Sequence, residues 1–289
     1  MYTLFTDTDT DITLEVAEKY GYKLISMPYI IDGKEVKPYE DFTVFDYPAF
    51  YNTLRKGVLP TTSAINPEKY KEYFEPFLAK GQDILYVHFS KAMSGTFNAM
   101  NIAIEELKEQ YPNQTIYTID TKGITILSYN IVLEIGKLYQ EGKSIEEIIN
   151  WADEFVDHFA TYFFADNLKF FSRSGRVSNV SATMGNLIGI KPIIYMNEEG
   201  MMTNIAKERG RKSATKKLID YFDTLAIEPT KHHIIIGHTD ALELAQNLGA
   251  QLQEKYDNML DIEYVVVNPT AGSHCGPDTI GICFYAKHK

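Results

Sequence analysis

The sequence predicts an α/β protein of two α/β domains, the N-terminal one built on a mostly parallel sheet. Two observations lead there. Through the first 160 residues, short apolar runs of strand type alternate with helical patterns, the order that gives parallel strands joined by crossover helices. At 289 residues the chain also exceeds the common size of one domain, and after residue 160 its pattern changes. The expected division is 1–160 and 161–289, an approximate boundary across which the chain can pass back and forth.

Each element has its own signal. YTLF (2–5) reads as a strand that leads through TDTDTD into the helical LEVAEKYG. LPTTSAINPEKY (59–70) reads as a helix start, with Asn66 or Ser63 as its cap before EKYKEYFEPF. DILYVHF (83–89) is a buried strand, and SKAMSGT carries it into a helix over roughly 95–109. TIYTID (115–120) precedes a helix near 124–141. In GKSIEEIINWADEFVDHF, Ser144 and Glu147 have the spacing of a capping box ahead of apolar positions such as Ile145, Ile148, Ile149 and Phe155. KPIIYM, NEEG and MMTNIAKE then read as a hairpin, followed by a helix near 211–225. HHIIIGHT (232–239), a helix near 241–256 and IEYVVVN (262–268) resume the alternation, and GICFY (281–285) is a last strand.

Composition limits the function. Lys and Arg number 28 against 39 Asp and Glu, a net charge of −11. Such a surface opposes broad binding to nucleic acid phosphates. MYTLFTDTDT has neither a basic nor a long apolar segment, so it does not read as a signal peptide. The apolar runs are too short for a bilayer-spanning helix. A cytoplasmic location without stable membrane insertion is expected. Cys275 and Cys283 are expected to be reduced thiols, one in a loop and one in a strand.

Four segments carry candidate chemistry. FTDTDTDIT (5–13) contains D-x-D-x-T as Asp9, Asp11 and Thr13, which suggests a Mg²⁺-dependent phosphatase using the Asp7/Asp9 region. The register disagrees, because the apolar strand ends at Phe5 and the fifth position from Asp7 is Asp11 rather than Thr. Asp9 or Thr10 as the cap of the next helix is the plainer reading. In SKAMSGTFNAM (90–100), Ser94 and Thr96 fall at a helix N-terminus, where free N–H groups suit an anion and Gly95 permits close approach. A simple serine cap explains the same letters. PTAGSHCGPDTIGICFY (269–285) reads as a loop around His274, and no second Cys/His pair makes it a zinc site. KERGRKSATKK (207–217), with FFSRSGRVS (170–178), makes a basic face that can dock a partner or simply stay solvated.

Taken in order, these segments resemble the DegV family of bacterial fatty-acid-binding proteins. The matching stretches are Thr6–Ile12, the Thr62-Ser63-Ala64-Ile65 loop, Ser90–Phe97, Gly175-Arg176-Val177-Ser178, Lys191-Pro192-Ile193, and His274, Gly276, Pro277 and Gly281. The resemblance implies two DegV-like α/β domains with one long-chain fatty acid, such as palmitate, stearate or oleate, buried between them. It implies that Thr62, Ser94 and His274 bind the carboxyl group, with Ser63 and Gly95 in support. It further implies a non-catalytic, lipid-binding subunit that presents the acid to an ATP-dependent fatty-acid kinase subunit, or a lipid carrier. No cofactor or metal is expected, and the chain has no G-x-x-x-x-G-K-[ST] or G-x-G-x-x-G string. Arg173, Arg176, Arg209 and Arg211 are the expected docking residues for that partner. Ala64-Ile65 departs from the family's Gln-Pro, and Asp9 and Thr10 stand where smaller residues are usual.

Overall fold

The computed structural model describes residues 2–166, 168–178 and 189–289. Strand β1 (Tyr2–Asp7) ends in a short 3-10 turn, Thr8–Thr10, and α1 (Leu14–Tyr20) follows. The cap of α1 is Thr13, whose hydroxyl accepts from the Val16 N–H. Asp9 and Thr10 therefore do not cap this helix. They lie inside the turn because Asp7 caps it, accepting the Asp9 N–H at 3.0 Å.

Next come β2 (Lys23–Ile25), β3 (Tyr29–Ile31), β4 (Lys34–Val36), α2 (Tyr47–Arg55), β5 (Thr61–Thr62) and α3 (Pro67–Leu78). Asn66 caps α3 by accepting the Lys69 N–H, and Pro67 takes the first helical position, where a missing N–H costs nothing. Strands β4, β3 and β5 form a small antiparallel sheet in that order, an element the sequence did not announce. Its strands have two or three residues each, too few for an alternating pattern to register.

Strand β6 (Asp83–His88), α4 (Thr96–Gln110) and β7 (Ile116–Asp120) complete a four-stranded sheet of order β2-β1-β6-β7, parallel throughout. The interior of β6 is a continuous buried run, as expected of a strand covered on both faces. Helix α5 (Ile126–Gln140) follows, then α6 (Ile145–Phe155), which starts with both bonds of the Ser144–Glu147 capping box.

The remaining elements are β8 (Phe159–Phe164), α7 (Lys169–Ser174), β9 (Val177–Ser178), β10 (Ile190–Met196), β11 (Met202–Arg209), α8 (Gly210–Leu225), β12 (His233–His238), α9 (Leu242–Lys255), β13 (Asp261–Val266), α10 (Pro269–Cys275) and β14 (Ile280–Tyr285). Their strands form one seven-stranded mixed sheet, β13-β12-β14-β8-β10-β11-β9. Strands β10 and β11 pair antiparallel as the expected hairpin. Helix α10 corrects the loop expected around His274. Asn268 caps it, accepting the Ala271 N–H at 2.9 Å, and Pro269 is its first residue, a start signal hidden among glycines. Cys275 accordingly ends a helix rather than lying in a loop, and both cysteines are free.

Helix α5 links the two large sheets. Ten of its fifteen residues are buried, because it packs against β8, β12 and β14 on one side and against α1 and the turn after β1 on the other. The approach is close because Gly237 and Gly281 face each other across β12 and β14. A Cβ at Gly237 would lie 2.6 Å from Ile126 Cγ2, so the glycine pair makes a notch that admits Ile126. Four further bonds join distant segments. Ser90 Oγ donates to the Gly200 carbonyl at 2.8 Å, Tyr51 Oη donates to the Val267 carbonyl at 2.8 Å, and the Asn268 N–H and side-chain amide donate to Asp11 Oδ1 at 2.8 and 2.7 Å.

Asn268 thus caps α10 and ties it to the turn after β1. Asn268→Ala removes the cap and one of the two donors to Asp11 Oδ1, the backbone N–H remaining. A stability loss of about 1–3 kcal/mol is expected, read as a lower urea midpoint with unchanged m-value.

Candidate functional site

The carboxyl ends of parallel strands are where open α/β sheets place ligands, since the loops there diverge and leave a crevice. Here the loops after β1, β6 and β7 face the large sheet across a cavity holding about 950 Å³ of space, its open mouth included. Most of its surface is apolar, from residues such as Met27, Phe89, Met93, Ile126, Phe163 and Met202.

The wall also carries polar groups, Thr62, Ser94 and His274 among them. Thr62 sits on β5, held by its pairing with Tyr29 of β3. His274 occupies the last turn of α10. Their side chains meet, with Thr62 Oγ1 and His274 Nε2 2.9 Å apart across 212 residues of sequence. Ser94 lies on the same wall, its Oγ accepting the Thr96 N–H at 3.2 Å at the start of α4. Ser63 also lines the cavity and donates to Glu35 Oε2 at 3.1 Å. Gly95 does not reach this wall and lies in an adjoining surface recess shared with Ser94 and Arg176.

The electrostatics follow from burial. His274 is pushed down to about 4, chiefly because burial penalises the imidazolium, with Arg176 and Arg173 adding repulsion. It is therefore neutral near pH 7, and the Thr62–His274 contact is a hydrogen bond between uncharged groups. Arg173 donates to the Leu59 carbonyl at 2.8 Å, and Arg176 to the Ser174 carbonyl at 2.6 Å. Both are exposed, and both border a recess that also touches Thr62 and His274. Arg176 additionally lines the main cavity. Arg209 and Arg211 line neither, and Arg211 is engaged by both oxygens of Asp166 at 2.9 and 3.0 Å. The four arginines considered together in the sequence thus separate into two pairs.

Asp7 is not on the wall. Its Oδ1 accepts the Asp9 N–H, while its Oδ2 accepts the Tyr86 hydroxyl at 3.0 Å and the Phe89 N–H at 3.1 Å. Such a carboxyl is committed to the fold, which leaves the Asp7/Asp9 phosphatase reading without its nucleophile. Among the described residues no group of three or more His, Cys, Asp or Glu side chains gathers as a metal site. Asp9, by contrast, lines the cavity. Sequence reasoning missed that, along with Thr125 and the apolar wall, because a loop of alternating Asp and Thr says nothing about which way it faces.

A family model described as "Uncharacterised protein, DegV family" matches residues 1–287. The chain belongs to the DegV family. A DegV domain-containing protein of Clostridium perfringens is 34% identical to it, over 100% of this chain and 98% of that protein. Among solved structures, a DegV family protein of Streptococcus agalactiae, described as fatty acid binding, is 26% identical with a TM-score of 0.82 over 98% of both chains. A protein of Eubacterium ventriosum, described as binding stearic acid, is 19% identical with a TM-score of 0.84 over 99% of both chains. The two-domain α/β fold expected from the resemblance is therefore present. Among the described residues no helix is long and apolar enough to cross a membrane.

The buried acids set a pH dependence. Burial pushes Asp7 and Asp11 up to about 7, outweighing the hydrogen bonds that favour their charged forms. A carboxyl raised on folding binds more protons folded than unfolded, so its contribution is complete below the unfolded value near 4 and is lost as pH rises towards 7. Asp11→Asn keeps the oxygen that accepts from Asn268 and cannot ionise. Between pH 4 and 7 the wild type is expected to lose stability relative to Asp11→Asn, measured by urea unfolding at each pH.

Proposed function

We propose that this protein binds one long-chain fatty acid in the cavity and presents its carboxyl group to a separate ATP-dependent kinase subunit, which forms the acyl-phosphate. In this reading the chain divides near residue 160 into two domains that enclose the lipid, with α5 shared between them, and contributes no catalytic group of its own. The observation that carries the reading is the Thr62–His274 hydrogen bond on the wall of a mostly apolar cavity that Ser94 also lines. Family members of the same fold described as fatty acid binding and stearic acid binding support it.

The energetics suit that ligand. Burying an acyl chain of sixteen to eighteen carbons gains about 0.8 kcal/mol per methylene, on the order of 10 kcal/mol in total before the cost of immobilisation. The tail supplies affinity, and the head needs only orientation. Neutral Thr62, Ser94 and His274 can hydrogen-bond a carboxylate and an acyl-phosphate alike, where a buried arginine clamp would hold the substrate and resist its conversion. Ser63 and Gly95 support the loop and the helix start that carry Thr62 and Ser94. Arg173 and Arg176, exposed at the mouth, suit docking of an acidic partner surface, with Arg209 and Arg211 as an outer contact.

Native mass spectrometry of the purified protein, followed by organic extraction, should find close to one fatty acid per chain. A lipid-free protein that takes up no added palmitate, stearate or oleate would refute the reading. Thr62→Val and Ser94→Ala should each weaken binding of the free acid about tenfold, the worth of one buried hydrogen bond, while the methyl ester loses much less. Arg173→Glu should lower kinase-coupled acyl-phosphate formation with the lipid still bound. Loss of lipid from that variant would instead assign Arg173 to the ligand.

A further inference from the structure

The cavity wall carries a second set of polar atoms, apart from Thr62, Ser94 and His274. The Asp9 side chain lines the cavity in the turn after β1, and the residue is only 5% exposed. Its Oδ1 has no hydrogen-bond partner. Asp7 has donors on both oxygens and Asp11 on Oδ1 alone, its Oδ2 being unpartnered too, but of the three only Asp9 lines the cavity. Against it stands the N-terminus of α5, a helix of fifteen residues. The Thr125 N–H donates to the Asp9 carbonyl at 2.8 Å, and Thr125 takes the cap position without making a side-chain cap bond. Thr125 and Ile126 both line the cavity.

Thr125 also has φ +54° and ψ −132°, a conformation that β-branched residues almost never adopt. Strain of that kind persists only where the surroundings impose it, and it concentrates at ligand sites. Among the described residues no hydrogen bond joins Asp9 or the Thr125 hydroxyl to the Thr62–His274 pair.

A wall shaped only for methylenes has no use for these groups. An unpaired carboxyl oxygen and an uncapped helix end both forgo hydrogen bonds that an alkyl chain cannot supply. Burial raises the Asp9 carboxyl well above its ordinary range, its acidic neighbours adding to the effect, so the neutral acid can both donate and accept. A ligand hydroxyl completes the set by hydrogen-bonding the Asp9 carboxyl and accepting from a first-turn N–H of α5 or from the Thr125 hydroxyl. A cation fits less well, because the Asp7 carboxyl is already committed to donors and Asp11 does not line the cavity.

We infer that Asp9, Thr125 and the N-terminus of α5 form a second polar subsite, which receives a hydroxyl group carried along the chain of the bound fatty acid. This rests on the fatty-acid reading above and adds a substrate class to it, the hydroxylated long-chain acids.

The test uses delipidated full-length protein and displacement of a fluorescent fatty acid. The competitors are octadecanoic acid and a series of hydroxyoctadecanoic acids with the hydroxyl moved along the chain. One isomer, or two adjacent ones, should bind about tenfold more tightly than octadecanoic acid. Asp9→Val should abolish that preference and tighten octadecanoic acid. Thr125→Gly, which suits the positive φ and deletes the hydroxyl, should reduce the preference in a folded protein. The result then does not hang on Asp9→Val folding. Weaker binding of every hydroxylated isomer to the wild type, or a preference unchanged in both variants, would overturn the subsite. Failure of octadecanoic acid and all its isomers to bind the wild type would overturn the fatty-acid reading, and the subsite with it.

Discussion

Three carboxyl groups lie at alternate positions in a turn from which water is excluded, and the site is built outward from the bonds that make this tolerable. Asp7, Asp9 and Asp11 are each 5% exposed or less. A buried acid without partners costs several kcal/mol or gives up its charge. Asp7 is satisfied by β6 and the residue after it, which fixes the ends of the two central parallel strands relative to each other. Asp11 is held through Oδ1 by Asn268, which begins the helix that ends near His274. In the same turn Thr8 Oγ1 accepts the Met27 N–H at 2.9 Å, two residues before the strand that pairs with Thr62. Thr62 and His274 are far apart in the chain, yet both are anchored to one turn. Their 2.9 Å contact is a consequence of that shared anchor.

The opposite wall of the cavity has a different origin. It is a mixed sheet, with the apolar helix α5 seated against its centre through the Gly237–Gly281 notch. A side chain larger than hydrogen at Gly237 would push Ile126 away and shift the N-terminus of α5, where the cavity wall is formed, while one at Gly281 would meet Phe163 Cβ at 2.7 Å. The glycines therefore act on the site by controlling a distance between elements, without contributing a polar group. Ser90 adds a second tether, holding the turn of the β10–β11 hairpin against the loop after β6. A Cβ at Gly200 would lie 2.2 Å from Ser90 Oγ, so that contact too is set by a missing side chain.

Strand and helix alternation, the Ser144–Glu147 capping box and the NEEG hairpin were legible in the sequence because each is a local pattern with a local cause. The small β4-β3-β5 sheet was not, since strands this short owe their existence to the neighbours they pair with. Helix α10 was nearly legible, with Asn-Pro marking its start, but the glycines that follow argue for a loop. Tertiary support from Asp11 and Tyr51 outweighs their low helix propensity. Thr62, Ser94 and His274, which line one cavity, are singled out in the sequence by an ordered set of family motifs, and nothing in the spacing of three such residues would have joined them. Asp9 stood in plain view and was read as part of a phosphatase string or a cap. Which way its carboxyl points depends on where Asp7 and Asp11 bind, and those partners are 79 and 257 residues away from them.

The charge arrangement fits a site that must hold an acid and later release its phosphorylated form. Arg173 and Arg176 are exposed, where water screens them and where a partner can reach them. Inside, burial and the two nearby arginines keep His274 neutral, so the groups touching the proposed carboxylate carry hydrogen bonds and no fixed charge. A buried guanidinium in their place would bind the carboxylate strongly and then bind the more highly charged acyl-phosphate more strongly still. In the proposed reading, leaving affinity to the apolar wall, which sees the same tail before and after transfer, lets the cavity treat substrate and product almost alike. Discrimination is then left to whatever polar contact the wall makes along the tail, and Asp9 is placed where such a contact would be felt.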